Sequence, residues 1–522
     1  MKKKLLPIGK QSFKELIESD CIYVDKTEHV YRLVTEGWYY FLSRPRRFGK
    51  SLLVSTLQEL FEGNQTLFEG LWIHDKWDWS KTSPVIHLSF AKMDYQNIGL
   101  GKAIDDALDQ IAHKYGVTLT KDSYKSRFEQ FLHKLYEQNG KVVLLIDEYD
   151  KPIIDHLEKS KLPKAREHQE IMKAFYSILK DSETYLRFVF ITGVSKFARV
   201  SIFSDLNHLT DLTVRRDYAL MLGYTQKELE FYFKDYLVET AKALNISRRQ
   251  LLIDMKEWYN GFSWDGKNTL YNPFGILNFL AAKDFYNFWF SSGTPTFLAE
   301  LMERQVNFEF ENVKTSTSQI DKYSLDNLDL TALLFQTGYL TIKERNYRNG
   351  DLVLDYPNRE IRESLYGFML NHVKLHENKS SAQLIVKELA AAFGNNDLNF
   401  VRELLESMFG DLPENLYETS DSRSERFYHS FIHLTFKFLG IFIESEVATR
   451  KGYADSVVQT PTHVYLFEFK HQETAEAAFD QLIKNDYARK YWALGKTIVG
   501  IGVNFDKKKR IIEGWKVQIL KE

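Results

Sequence analysis

The chain has 522 residues, too many for one hydrophobic core, so roughly two to four domains are expected. Its 44% hydrophobic and 27% charged residues exclude a disordered chain. A net charge of -2 excludes a global basic field for nucleic acid, and the lone Cys21 excludes a disulfide framework or a cysteine-rich zinc site.

Met1 to Lys10 holds only a two-residue apolar run before Pro7, too short for a signal peptide. No stretch approaches the roughly 20 apolar residues of a membrane span, so no membrane partner and a cytoplasmic location are expected. Residues 38–42 form a short apolar strand that runs into Arg44-Pro45-Arg46-Arg47-Phe48-Gly49-Lys50-Ser51, and residues 51–61 read as a helix. Residues 85–90, 142–146 and 188–192 are further buried-strand candidates, separated by helical stretches at 103–115, 123–138 and 168–182. Strands alternating with helices predict a parallel sheet of the α/β class. From 225 to 345 the pattern turns mainly helical, with turns at Tyr259-Asn260-Gly261 and Tyr271-Asn272-Pro273, and a polar helical segment covers 359–408. Loop-like residues 410–426 precede a helix at 427–439, three strands, a long helix and a closing strand at 497–505. The expected division is a P-loop domain at 1–224, a helical lid at 225–345, a helical connector at 346–424 and a C-terminal α/β domain at 425–522.

Phe48-Gly49-Lys50-Ser51 has the residues that end a nucleotide-binding P-loop, in which backbone N–H groups and a lysine hold phosphates and a Ser hydroxyl reaches Mg²⁺. Arg44 stands where the first glycine of that spacing is expected. The strand before and the helix after supply the required context, because the helix N-terminus then faces the phosphates. A second element is Val142-Val143-Leu144-Leu145-Ile146-Asp147-Glu148, an apolar strand ending in two acids. In an ATPase of this type the first carboxylate serves Mg²⁺ and the second polarises the attacking water, which are the roles expected of Asp147 and Glu148. A strand running out into a polar turn gives the same residues, so it is the pairing with the loop that points to ATP. Cofactor contacts fall on Arg47, Phe48, Gly49, Lys50, Ser51 and Asp147, with Ser51 and Asp147 on the metal. Thr192 or Ser195, at the end of the strand at 188–192, is a candidate γ-phosphate sensor or a plain strand end. Arg199, Arg215 and Arg216 read as structural residues ahead of phosphate contacts.

A second charged cluster lies near the end. Asp455 opens one strand, and His463-Val464-Tyr465-Leu466-Phe467-Glu468-Phe469-Lys470 is another, on which Glu468 and Lys470 share a face with Val464 and Leu466. Asp455 and Glu468 can bind Mg²⁺ through oxygen, and Lys470 can orient water or steady developing charge. A strand-end ion pair is the competing reading. Ala475, Ala478, Phe479, Leu482 and Ile483 then form the apolar stripe of a helix. His429 and His433 read as packing or surface residues, and the basic run at 507–510 as a solvated turn.

Tyr23-Val24-Asp25-Lys26-Thr27, the Arg44–Ser51 loop, Ile146-Asp147-Glu148-Tyr149-Asp150-Lys151-Pro152, Trp258-Tyr259-Asn260-Gly261 and Gly293-Thr294-Pro295-Thr296-Phe297-Leu298 together resemble the bacterial AAA-ATPase-like family. Proteins of that family commonly carry a C-terminal PD-(D/E)XK nuclease-like domain. The resemblance makes Arg44 a family trait and leaves both phosphate contact and ion pairing open for the loop arginines. It implies a nuclease-like site with Asp455, Glu468 and Lys470 as catalytic residues beside Glu148 of the first site. It also implies an approach by Gln481, near Tyr487 and Lys490, and a further acid from Glu425, Glu444 or Glu446. Tyr453-Ala454 departs from the family, where a Gly-Arg step often precedes the aspartate. The expected function is an ATPase whose nucleotide state controls a Mg²⁺-dependent nuclease-like domain acting on nucleic acid, DNA ahead of RNA, with a homo-oligomer compatible. A nucleotide-dependent switch with a non-cleaving binding domain is the alternative.

Overall fold

The computed structural model describes residues 3–196, 202–203, 208–291, 310–321, 325, 328–373, 382–410, 431–447, 455–470, 473–506 and 511–522. They divide into two compact units: along the chain the first ends at Ile361 and the second begins at Arg362. Among the described residues, no helix is long and apolar enough to cross a membrane.

The first unit is built on a five-stranded sheet of β1 (Tyr39–Ser43), β2 (Val85–Ser89), β3 (Val142–Asp147), β4 (Leu186–Gly193) and β5 (Thr210–Asp211). The order is β2-β3-β4-β1-β5 and every pairing is parallel. A parallel sheet is covered on both faces, so its strands are continuous apolar runs. β3 follows that rule. Val143 and Leu145 join the core with Leu53, Leu57 and Leu60 of the helix Lys50–Phe61, and the alternating Leu144 and Ile146 are as deeply buried. The register Ile146↔Ile191 and Ser43↔Gly193 sets the carboxyl ends of β3, β4 and β1 along one edge, where open α/β sheets place their ligands.

The expected strands and helices of this part are present with shifted ends. The helix read at 168–182 begins earlier, as Leu162–Tyr176, and Ile178–Asp181 is a separate turn after Ser177. Beyond the sheet, helices Gln226–Tyr232, Arg248–Tyr259 and Pro273–Ala282 bury Leu229, Phe233, Leu251, Met255, Tyr259, Ile276 and Phe279 together with Ile22 and Val24. Asn272 caps the last of these by accepting from the N–H groups of Phe274 and Gly275, with Pro273 at the first helical position. The region read as mainly helical also holds strands of an antiparallel sheet, β6 (Val313–Ser316), β7 (Thr341–Arg345) and β8 (Asp351–Asp355), in the order β6-β8-β7. These strands are short and rich in polar residues, which blurs an alternating pattern.

The second unit centres on a mixed sheet of β9 (Glu444–Val447), β10 (Ser456–Gln459), β11 (His463–Lys470), β12 (Thr497–Asp506) and β13 (Ile511–Lys521). Its order is β13-β12-β11-β10-β9, with β11 and β12 parallel and the other pairs antiparallel. β13 was not expected from the sequence: its alternation is broken by Gly514 and its edge position exposes Val517 and Ile519. Helix Ala475–Lys484 packs Phe479 and Leu482 on Val457, Val464 and Leu466. On the opposite face Tyr465, Phe467 and Phe469 meet Phe393 and Phe436. The sequence motif at 293–298, the boundary segment at 410–426 save its first residue, Glu425, His429, Arg199 and the basic run at 507–510 lie outside the described residues.

Candidate functional site

At the edge of the first sheet the loop between β1 and the helix Lys50–Phe61 turns over a cavity of about 430 Å³. Arg46, Arg47, Gly49, Lys50 and Ser51 line it from the loop side, and Glu148, Asp150 and Lys151 from the end of β3. The turn uses left-handed backbone at Arg47 (φ 66°) and at Gly49 (φ 94°), which caps the helix. Lys50 is buried and folds its ammonium onto the loop itself, donating to the carbonyl oxygens of Arg44 and Pro45 at 2.9 Å each. Burial lowers its pKa, while the charges of Glu148, Asp147 and Asp150 oppose that shift.

Arg44, in the place of a glycine, does not reach the cavity. Its guanidinium is buried and donates to the carbonyls of Ser43 (2.9 Å), Thr213 (2.7 Å) and Tyr218 (3.4 Å), lying 4.1 Å from the Trp264 ring centre. Carbonyl dipoles and an indole face hold the cation in a site where its fixed fork matches several acceptors. Of the two roles left open for the loop arginines, Arg44 takes a structural one, through carbonyls and not an ion pair. Phe48 is fixed beside it, edge-on to Phe262 (4.9 Å) and Trp264 (5.0 Å). The loop is thus anchored from beneath by side chains that composition gave no means of finding.

β3 delivers the acids. Asp147 is buried and accepts from Thr192 Oγ1 at 2.7 Å, which joins the ends of β3 and β4. Glu148 sits in left-handed backbone at φ 52°, a strained conformation for a residue with a Cβ. Burial raises its carboxyl pKa, with Lys50 pulling it back down. Asp150, absent from the sequence-based site, is fully buried and accepts from the N–H groups of Val194 (3.0 Å) and Ser195 (2.6 Å) and from Ser195 Oγ (2.6 Å). Ser195 is therefore committed to Asp150, and Thr192 to Asp147. The fit demands a residue without a side chain at Gly193, where a Cβ would stand 2.5 Å from the Tyr149 ring and 2.6 Å from Asp150 Oδ1. Arg215 is exposed and pairs with Asp217 at 3.1 Å.

The far wall of the cavity comes from segments distant in sequence: Pro7, Gly9, Lys10 and Gln11 near the start of the chain, and Tyr224, Pro273, Phe274 and Leu277 of the helical part. No local signal marks these residues. The motif Tyr23–Thr27 binds the same parts together: Asp25 accepts from Thr27 N and Oγ1 (2.8 and 2.6 Å) and Trp72 N (2.7 Å), and Lys26 pairs with Glu228 at 2.6 Å.

In the second unit Asp455 and Glu468 meet where β10 begins beside β11. Asp455 accepts from the N–H of Phe469 at 2.9 Å, and Gln481, from the helix Ala475–Lys484, donates to Glu468 Oε1. That approach needs Gly502 on β12, paired with Glu468, because a Cβ there would stand 2.3 Å from the Ala475 carbonyl oxygen. Glu468 is 3% exposed and its second oxygen, Oε2, is buried without a hydrogen-bond partner. Burial and the neighbouring Asp455 push its pKa up to about 8, against the pull of Lys470. Lys470 ends the strand at the margin, with Glu473 4.0 Å away. Glu444 is exposed, accepts from Gln459 (2.9 Å) and lies opposite it in the register; Gln459 in turn faces Val464, four residues from Glu468 on β11. The side chain of Glu446 lies outside the described residues. Among the described residues, no three His, Cys, Asp or Glu side chains gather as a metal set. Two carboxyl groups suit Mg²⁺, which keeps several waters, and the carboxyl oxygen of Glu468 without a partner is one that a cation could take up in place of the proton. Tyr487 accepts from Asn485 (2.7 Å), and Lys490 stands over Tyr491 (5.1 Å). His433 is half-buried on the helix before β9.

Comparison with known proteins places both regions. Residues 7–203 match the family described as predicted AAA-ATPase, and residues 423–515 match the PD-(D/E)XK nuclease superfamily. The chain is similar, at 36% identity over all of both proteins, to an uncharacterized protein in the vnfD 5'region of Azotobacter chroococcum mcd 1.

Proposed function

Since the chain belongs to the predicted AAA-ATPase family with a PD-(D/E)XK nuclease superfamily domain, we propose that it binds and hydrolyses ATP in the first unit. We propose further that its nucleotide state controls Mg²⁺-dependent cleavage of nucleic acid, DNA ahead of RNA, by the second unit, in the cytoplasm. The observation that carries the ATP reading is one cavity lined by Lys50, Ser51 and Glu148 at the carboxyl edge of a parallel sheet.

Lys50 leaves the Arg44 and Pro45 carbonyls to bind phosphate oxygens, and the first turn of its helix adds backbone N–H groups. Ser51 and Asp147 would hold Mg²⁺, which supplies charge neutralisation at the phosphates. Thr192 orients Asp147 by donating to it. Glu148 accepts a hydrogen bond from the attacking water and aligns it; its raised proton affinity suits that role. Arg47, Phe48 and Gly49 shape the loop. The helical region at 225–345 acts as a lid, a role supported by Phe274 and Leu277 on the cavity wall.

In the second unit Asp455 and Glu468 would hold Mg²⁺, which activates water and polarises a phosphodiester when bound. Lys470 steadies charge at the margin, and Gln481 fixes Glu468.

The test is cleavage of DNA and RNA with Mg²⁺, with and without ATP, by wild type, Lys50→Ala and Asp455→Ala. Cleavage by wild type that disappears in Asp455→Ala and responds to ATP only when Lys50 is present supports the scheme. Binding without cleavage by any form selects the alternative, cleavage indifferent to Lys50→Ala removes the coupling, and a wild type that binds no ATP removes the reading of the first unit.

A further inference from the structure

Among the described residues, Lys151 is the one cationic residue of the cavity wall that follows the acids of β3. Its N–H donates to the Glu148 carbonyl at 3.1 Å, so it leaves the same turn that presents Glu148. Its ammonium is held by Asp155, at 3.0 and 2.8 Å to the two carboxylate oxygens, and Asp155 accepts in addition from Tyr95 Oη at 2.6 Å. Lys151 and Asp155 both line the cavity with Lys50, and their side chains are 35% and 18% exposed. Glu148 lines the same cavity as both lysines. The cavity wall thus carries cations on the loop and one more on the turn after β3, the turn that presents Glu148, a distribution that suits an extended polyanion.

From this placement, and resting on the ATP reading above, we propose that Lys151 is a second phosphate-binding lysine, specific for the terminal phosphate, parked on Asp155 until a triphosphate enters. Lys50, at the helix N-terminus, reaches the β-phosphate that both nucleotides carry as well as the terminal one. Glu148 addresses the water at the terminal phosphate, so the cation beyond Glu148 meets that phosphate alone. An (i, i+4) ion pair on a partly exposed turn is weak. A phosphate carrying more than one negative charge outcompetes it and takes the ammonium in a charge-assisted bond. Tyr95 stays on Asp155 and keeps the released carboxylate partnered. The exchange makes the site sense triphosphate with a residue of its own chain.

The experiment is the affinity of the full chain for a non-hydrolysable ATP analogue and for ADP, both with Mg²⁺, by calorimetry. Wild type prefers the triphosphate. Lys151→Met lowers triphosphate affinity by about tenfold and leaves ADP affinity within about twofold, and Lys151→Arg restores the preference. Asp155→Asn frees the lysine and raises triphosphate affinity. Unchanged circular dichroism confirms that each variant is folded. The proposal is overturned by a Lys151→Met protein with the wild-type ratio, by equal losses for both nucleotides, or by a wild type with no preference. A wild type that binds neither nucleotide defeats the ATP reading itself, which separates the two failures.

Discussion

The two acidic sites differ in how much of their charge the protein itself satisfies. Around the first, Asp147 has Thr192, Asp150 has Ser195 and the N–H of Val194, Lys50 has two carbonyls and Arg44 has three. In the second, Glu468 keeps a buried oxygen without a partner and a proton affinity well above a carboxylate's ordinary range. A charged network bonded this densely fixes its geometry before a ligand arrives, whereas a carboxyl bonded on one oxygen has acceptor capacity to spare. The first site is preorganised by its own hydrogen bonds; the second leaves one carboxyl oxygen of Glu468 unbonded.

That contrast can be broken by substitution. The largest expected effect is on chemistry at the second site: Asp455→Ala lowers Mg²⁺-dependent cleavage by about 10²- to 10³-fold and leaves ATP turnover unchanged, read by parallel nuclease and phosphate-release assays. Next, Lys50→Ala lowers ATP turnover by about 10²-fold with little change in melting temperature, since the lysine's bonds are to carbonyls that water can reach in its absence. Asp150→Asn sharpens the comparison from the side of stability. It weakens a buried acceptor of three donors, so unfolding in urea shows a loss of about 2–3 kcal/mol. Glu468→Gln behaves in the opposite way: without Mg²⁺ it replaces an orphaned acid by a neutral amide and stabilises by about 1 kcal/mol, while abolishing cleavage. An unchanged or lowered stability for Glu468→Gln would remove the distinction between the sites.

A further test, in pH, concerns Glu360, buried in the first unit with the Trp289 N–H on its Oε1. Burial pushes its pKa from 4.5 up to about 8, opposed by that hydrogen bond. Between those values the folded state keeps a proton that the unfolded chain has released, so this group's stability is fully present below the lower value and is lost as pH rises through the upper one. The melting temperature of wild type therefore falls more steeply across that window than that of Glu360→Gln. Equal slopes would place the proton elsewhere.

Legibility in the sequence followed distance along the chain. The P-loop, the acids after β3 and the Asp455…Glu468-x-Lys470 set could be found because each is a short motif on one or two adjacent elements, whose period fixes which side chains share a face. Gln481 was placed by resemblance and then found donating to Glu468. Asp150 and Lys151 stood in plain sight in Asp147–Pro152, yet nothing local distinguished a buried acceptor from a turn residue. β13 was overlooked because an edge strand with exposed apolar positions lacks clean alternation.

By itself, the sequence determined the parallel α/β core, the second α/β unit and the residues of each charged motif, since apolar runs and short spacings act within a few residues. Only the tertiary structure decided what Arg44 does, which segments wall the cavity, where Lys151 is parked and that one oxygen of Glu468 is left unbonded. Those outcomes depend on groups brought together across tens to hundreds of residues. Burial and hydrogen-bond partners, which set the charge state of each group, exist only once the chain has packed.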